Sequence, residues 1–346
     1  MFEKKAANPA LPFFTALCMF LSAVEYAVPK PLPFMRLGLA NVPLMLAFGF
    51  MDFSSVLLLA ALKVFVQGVI SGTLLSYVFV MSFFGTFLSV IFSFAVYSLF
   101  FEKKLISFVG VCIFGALGNV LSQMFWCRIF FFGETARAVW AGIVVWGLAA
   151  GIMTGCFTKK FADCSQWYAG LRAGTVRFLR APVSVNEKKR FKFTDATLWL
   201  TSAAGVAGLM FCKNIFVMWG ICALFFIAAS VRRKKCVRIL PGLAVVMFMT
   251  AASIFTPYGK VLFSVGSVMV TEGAVTVALM KAARLLGICW ISQTVVAKEI
   301  YFGTSGHIFS EVIAYFDALT GQKWRLGKKG FFKSLDGILT EVCTNV

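Results

Sequence analysis

Lys63 lies in the middle of an apolar run, Phe53 to Leu75, where a charge needs a physical reason to be. An ammonium group at mid-depth in a bilayer costs on the order of 3 kcal/mol, so Lys63 must face the interior of a bundle. Gln67 follows one helical turn later and shares its face. Glu25 closes an earlier apolar run, and the loop PKPLPFMRLGLAN from Pro29 to Asn41 carries Lys30 and Arg36. Pro29, Pro31 and Pro33 hold φ near about −65° and push the residues before them out of the helical region, so a helix must end there. Glu25, Lys30, Arg36, Asn41, Lys63 and Gln67 therefore form a candidate ligand site with more positive than negative charge, suited to a small molecule carrying an anionic group. A purely structural Lys63 that pairs with Glu25 or snorkels stays open beside that reading.

The run from Glu25 to Asn41, followed by Lys63, Gly68, Ser71 to Thr73, Ser82, Gly85 and Ser89, resembles the Gx transporter family. That family is also known as heptaprenyl diphosphate synthase component I and is similar to the substrate-binding S components of energy-coupling-factor transporters. The resemblance covers roughly the first half of the chain. It implies a membrane domain of six helices that binds a vitamin- or cofactor-like molecule for import. It also offers an alternative, a non-catalytic membrane partner of an isoprenoid or quinone biosynthetic enzyme.

Residue types that are missing exclude several functions. Chelating a metal-bound diphosphate needs paired carboxylates, and Asp52, Asp163, Asp195, Asp317 and Asp336 are each isolated. The chain is therefore not expected to be an enzyme, to bind a metal or to need a cofactor. No Walker A loop occurs, so any nucleotide hydrolysis belongs to another subunit. His307 is the only histidine, and the 10 cysteines have no CxxC spacing, which removes the usual nucleophilic and metal frameworks.

The elements that must position the candidate site are membrane helices. With 60% hydrophobic and 14% charged residues and a mean hydropathy of +0.88, a chain of this length cannot hide its apolar surface in a soluble core. The expected class is all-α, a polytopic bundle of about ten transmembrane helices. Spans are read at Leu11 to Val28, Leu37 to Phe50, Phe53 to Leu75, Tyr77 to Phe100, Leu105 to Phe125 and Val139 to Phe157, then at Ala196 to Cys212, Ile215 to Val231, Leu240 to Phe255 and Gly273 to Ala297. Val261 to Val270 is too short to cross and reads as a re-entrant or interfacial piece. The net charge of +19 is carried by short loops between these runs and reads as a topology signal rather than a nucleic-acid surface. Most of the 33 Lys and Arg residues fall on one side if both termini are cytoplasmic, which places the proline loop outside a cytoplasmic (inner) membrane.

The expected organisation is a six-helix membrane domain at 1–158, a basic linker at 159–193, a second membrane domain at 194–297 and an amphipathic tail at 298–346. Gly147, Gly151 and Gly155 recur every four residues and define a helix-packing face. Thr256 to Lys260, Thr271 to Ala274 and Lys281 to Leu285 resemble the membrane-embedded T component of the same transporters. That likeness implies ABC-type ATPase subunits as partners in trans, although the Ala-Arg-Gly signatures that seat them are absent. Lys281 and Arg284 share a helical face and read either as the contact between the halves or as a pair for Glu272 or the re-entrant piece. In the tail, Ile308, Phe309, Val312, Ile313, Phe316 and Leu319 form one apolar stripe, and Phe331, Leu335, Ile338, Leu339 and Val342 form another. Two uses suit them equally, docking an ATPase or padding the bundle. The docking use makes the tail removable without loss of ligand binding. The bilayer and a small-molecule substrate complete the expected partners, with no nucleic acid.

Overall fold

A computed structural model describes residues 10–27, 38–101, 103–129, 136–176, 178, 196–233, 243, 246–247, 250–251, 259–265, 268–295, 307–321 and 331–345. In chain order these form α1 (Ala10–Ala27), a 3-10 turn (Leu39–Asn41), α2 (Val42–Ala47), α3 (Phe53–Ser71), α4 (Tyr77–Val96, extended by a π-helical turn Tyr97–Phe101), α5 (Phe108–Cys127), α6 (Ala136–Cys164) and α7 (Gln166–Arg172). Then come α8 (Ala196–Phe211), α9 (Ile215–Arg233), the hairpin β1 (Val261–Val265) and β2 (Val268–Thr271), α10 (Glu272–Val295), α11 (His307–Gly321) and α12 (Phe331–Asn345).

Helix dominates, and the chain is a multi-pass membrane protein. Among the described residues, five helical stretches are long and apolar enough to cross a membrane, Tyr77–Phe101, Phe108–Cys127, Trp140–Cys164, Ile215–Arg232 and Glu272–Val295, with shorter apolar helices at Ala10–Glu25, Phe53–Gly68 and Thr197–Phe211. Among the described residues these account for part of the expected count of about ten. Leu37 to Phe50 supplies only the 3-10 turn and the six-residue α2. At 1.5 Å per residue α2 is about 9 Å long, far short of a bilayer. Most of the ninth expected span, Leu240 to Phe255, lies outside the described residues. Val261 to Val270, read as a re-entrant or interfacial piece, lies in the antiparallel hairpin of β1 and β2.

Large apolar side chains such as Phe84, Ile91, Leu121, Val145, Phe216 and Leu224 point outward, the surface that a lipid solvent requires. The interior of the first half is built on small residues. A Cβ on Gly115 would stand 2.1 Å from Ser93 Oγ, and one on Gly118 2.7 Å from the Leu88 carbonyl oxygen, so α4 and α5 meet backbone to backbone. The glycine face of α6 does the same to α5. A Cβ on Gly147 would lie 2.1 Å from Val120 Cγ2, on Gly151 2.6 Å from Ala116 Cβ, and on Gly155 2.6 Å from Val109 Cα.

α1 is apolar all round, and from Ala10 to Leu21 every residue is buried. It is enclosed by α2, α3 and the tail helix α11, whose Tyr315 meets Phe13 edge-on at 5.4 Å between ring centroids while Phe309 lies 5.7 Å from Phe65. The tail stripes are therefore occupied inside the molecule. Val312 and Leu319 are fully buried, and in α12 Leu335, Leu339 and Val342 turn into the same core. α12 also clamps α7. The Asp336 carboxylate accepts hydrogen bonds from the Gln166 and Trp167 backbone N–H groups at 3.2 and 3.1 Å and from the Ser165 hydroxyl. It thus closes the N-terminus of α7, where a negative charge is favoured. Trp167 Nε1 donates to Cys343 Sγ at 3.2 Å, and burial pushes the Cys343 thiol up to about 11. Trp167, Tyr168 and Leu171 are buried, so the apolar face of α7 packs into the same core as the tail. The tail is not a free docking surface, and removing it would strip a wall from the first half.

The halves meet along α10. Ser292 Oγ on α10 donates to the Gly72 carbonyl at 2.9 Å and accepts from the Leu75 N–H at 3.0 Å, gripping the turn between α3 and α4. Ala278, Ala282 and Leu285 pack with Val120, Cys127 and Ile143 of α5 and α6. Arg284 Nε instead donates at 3.1 Å to the Leu209 carbonyl at the end of α8, a contact within the second half, where a cation complements the exposed carbonyls of a helix C-terminus.

Two stability predictions follow from this packing. Gly155→Leu forces a side chain into the backbone of α5 and is expected to cost about 1–3 kcal/mol. Asp336→Ala removes the closure of α7 at a cost of about 1 kcal/mol and frees α12, read as earlier tryptic cleavage after Lys333. Thermal unfolding in nanodiscs, with Gly142→Leu as a control that meets nothing within 4 Å, measures the first effect.

Candidate functional site

The polar residues of the N-terminal half converge where α1, the 3-10 turn and α3 meet. α3 is held beside α1, and the two run in the same direction because α2 brings the chain back between them. Gln67 Nε2 donates to Ser22 Oγ at 2.8 Å. One turn earlier on both helices, Lys63 lies within electrostatic reach of Cys18. Glu25 stands one turn beyond the Ser22–Gln67 contact on the same face of α1. Lys63 and Glu25 are both buried, with 5% and 3% of their surface exposed.

Lys63 Nζ donates to Asn41 Oδ1. Asn41 reaches that position because the chain turns sharply just before it. Gly38 has φ +86°, a left-handed conformation open to glycine at little cost, and the Asn41 N–H closes the turn onto the Gly38 carbonyl at 2.8 Å. α6 closes the other side, since a Cβ on Gly38 would stand 3.0 Å from Thr154 Oγ1. Gly38 is thus required twice, for its backbone and for its lack of a side chain. Pro43 then starts α2 at a position that needs no N–H donor.

Of the expected ligand residues, Glu25, Asn41, Lys63 and Gln67 come together, while Lys30 and Arg36 lie outside the described residues. Two further residues join them. Ser22 was legible in principle, three positions before Glu25 on one helical face. Thr154 carries no such signal, because it arrives from a helix far away in sequence and sits between two packing glycines. Among the described residues no group of three His, Cys, Asp or Glu side chains is placed to hold a metal ion. The buried Lys63 ammonium and the buried Glu25 carboxylate, with the Asn41 and Gln67 amides and the Ser22 hydroxyl, bring both signs of charge and hydrogen-bonding groups together in one region.

Residues 14–161 match the family model described as heptaprenyl diphosphate synthase component I. The matched segment runs from early α1 through most of α6 and so contains every residue of this cluster. No curated protein and no solved structure matches the chain.

If Asn41 serves to solvate the Lys63 ammonium, Asn41→Leu should destabilise the protein by about 1–3 kcal/mol, the usual cost of stranding a buried polar partner. Adding Lys63→Met should recover most of that loss, and a double-mutant cycle of unfolding in nanodiscs measures the coupling.

Proposed function

We propose that this chain is the ligand-binding subunit of an importer of the cytoplasmic membrane, taking a small, partly anionic molecule. The observation that carries this reading is the buried ammonium of Lys63, held by Asn41 in a cluster that four separate elements assemble. An intramembrane lysine retained at a cost of about 3 kcal/mol is a functional site by default. In this reading both termini are cytoplasmic and the proline loop, with Lys30 and Arg36, faces outward, where it attracts an anion. Residues 1–158 act as an S-component-like half, 194–297 as a T-component-like scaffold, and an ABC-type ATPase in trans supplies energy.

A second reading is favoured by the description of the matched family, which names a component of a prenyl diphosphate synthase. Here the same site serves a non-catalytic membrane partner that holds a substrate or product for a soluble enzyme. Both readings need an anion site and differ in the protein that binds alongside.

Lys63→Met is expected to fold, since it removes an intramembrane charge, and to weaken ligand binding about tenfold or more, the loss of one charge-assisted hydrogen bond. Mass spectrometry of molecules retained by wild-type and variant protein measures this, and equal retention removes Lys63 from the site. Gentle purification separates the readings. Co-elution with an ATPase supports import, and co-elution with a soluble prenyl synthase supports the partner role. Uptake that persists without ATP but needs an ion gradient replaces the ATPase by secondary transport.

A further inference from the structure

The second half carries two cations within the apolar helix α10, Lys281 and Arg284, about one turn apart on the same side. Arg284 Nε donates to the Leu209 carbonyl, two residues before α8 ends at Phe211. Both cations therefore stand near the level of the turn 212–214 that joins α8 to α9. A turn between two apolar helices belongs near the headgroups, because irregular backbone finds its hydrogen bonds in water and not in hydrocarbon. Lys213 on that turn is exposed and adds a third positive charge there. Phe211 and Phe216, at either end of the turn, are 85% and 84% exposed, as a surface in contact with acyl chains requires.

These charges are not balanced among the described residues. There the charged neighbour of Lys281 is Arg284, and neither of them is paired with a carboxylate. Glu272, the acid of the same helix, is exposed and lies nine residues before Lys281, about 13 Å along the axis. Like charges so close on one helix repel, so an anion drawn to both relieves a cost that the protein leaves standing. The bond from Nε leaves the two terminal amino groups of the Arg284 guanidinium to meet that anion, in the fork that suits two oxygens of a phosphate.

We propose that Lys281 and Arg284 hold the phosphate of an acidic phospholipid, whose acyl chains lie against the exposed apolar surface at the α8–α9 turn. Cations grouped between membrane helices near headgroup level are the arrangement that selects acidic lipid. The site is separate from the Lys63 cluster and differs from it in access. Lys63 is buried, whereas Lys281 and Arg284 are only partly buried, on a helix flank that a lipid reaches from the side. Bound there, the headgroup ties α10 to the end of α8 through Arg284, which contacts both.

The test uses the full-length protein, stripped of lipid in a neutral detergent and titrated with phosphatidylglycerol or phosphatidylcholine, with bound lipid counted by native mass spectrometry. Lys281→Met is expected to lower the affinity for phosphatidylglycerol about fivefold, the effect of one cation near an acidic headgroup, and to leave that for phosphatidylcholine unchanged. Lys281→Arg should restore it. Lys103→Gln combined with Lys104→Gln, which removes two exposed charges from the turn after α4, should not reproduce the loss. Unchanged phosphatidylglycerol binding by Lys281→Met overturns the proposal, and an equal loss in the Lys103, Lys104 variant reduces it to net charge and overturns it too. Millimolar inorganic phosphate that displaces the lipid completely replaces the lipid by a free anion. Thermal unfolding in nanodiscs of phosphatidylcholine alone supplies an independent check. Lys281→Met should be at least as stable there as the wild type, and a variant that melts earlier or fails to fold has lost a partner within the protein, which overturns the lipid.

Discussion

The cost of holding the Lys63 ammonium in a hydrocarbon surrounding organises the N-terminal half. A charge there persists only if polar atoms replace its water, and Asn41 is brought to it by a backbone that must first leave the membrane-crossing direction. The proline loop ends α1, Gly38 turns the chain, and a helix of only six residues returns it, so α1 and α3 run in parallel with matched polar positions. Shortening α2 sacrifices a membrane span. What it gains is a polar group delivered to mid-bundle on a turn closed by the Asn41 N–H on the Gly38 carbonyl.

Around this cluster the bundle is held by close backbone approach. In lipid, apolar side chains gain nothing by leaving one hydrocarbon for another, so the close approach that glycines and serines permit supplies the attraction. α4, α5 and α6 form such a stack, and it gives the polar cluster a rigid wall at Thr154. The second half attaches to this stack through the alanine face of α10 and through Ser292, which grips the turn following α3. That turn directly follows the helix that carries Lys63 and Gln67.

The tail shows how the same amphipathic pattern acquires a different role once a partner surface is present within the chain. α11 covers α1, and α12 clamps α7 through Asp336 and Cys343. An apolar stripe facing water or lipid headgroups invites a partner, whereas a stripe already buried contributes to the core. The cations around it, such as Lys160 at 5.3 Å from the Phe332 ring, help hold this arrangement.

Membrane embedding was legible in the sequence because it depends on composition and on hydropathy along single segments, and Lys63 stood out as a charge within an apolar run. So was the glycine spacing of α6, although only the structure shows α5 as the surface it meets. Glu25, Asn41, Lys63 and Gln67 could be named together because each interrupts an apolar run. Pairing Lys63 with Asn41 and Gln67 with Ser22, and adding Thr154, required the parallel course of α1 and α3, which no local pattern encodes. The tail stripes were open to docking or padding for the same reason, since a helical face records that it will be covered and not by what. The hairpin at Val261–Thr271 was legible only as a piece too short to cross, since Leu262, Phe263 and Ser264 interrupt any β-branched alternation in its first arm. Sequence alone determined that this chain enters the membrane and carries Lys63 within an apolar run. Tertiary structure decided which groups answer that charge, because long-range partners are chosen by packing geometry and not by the residues next to them in the chain.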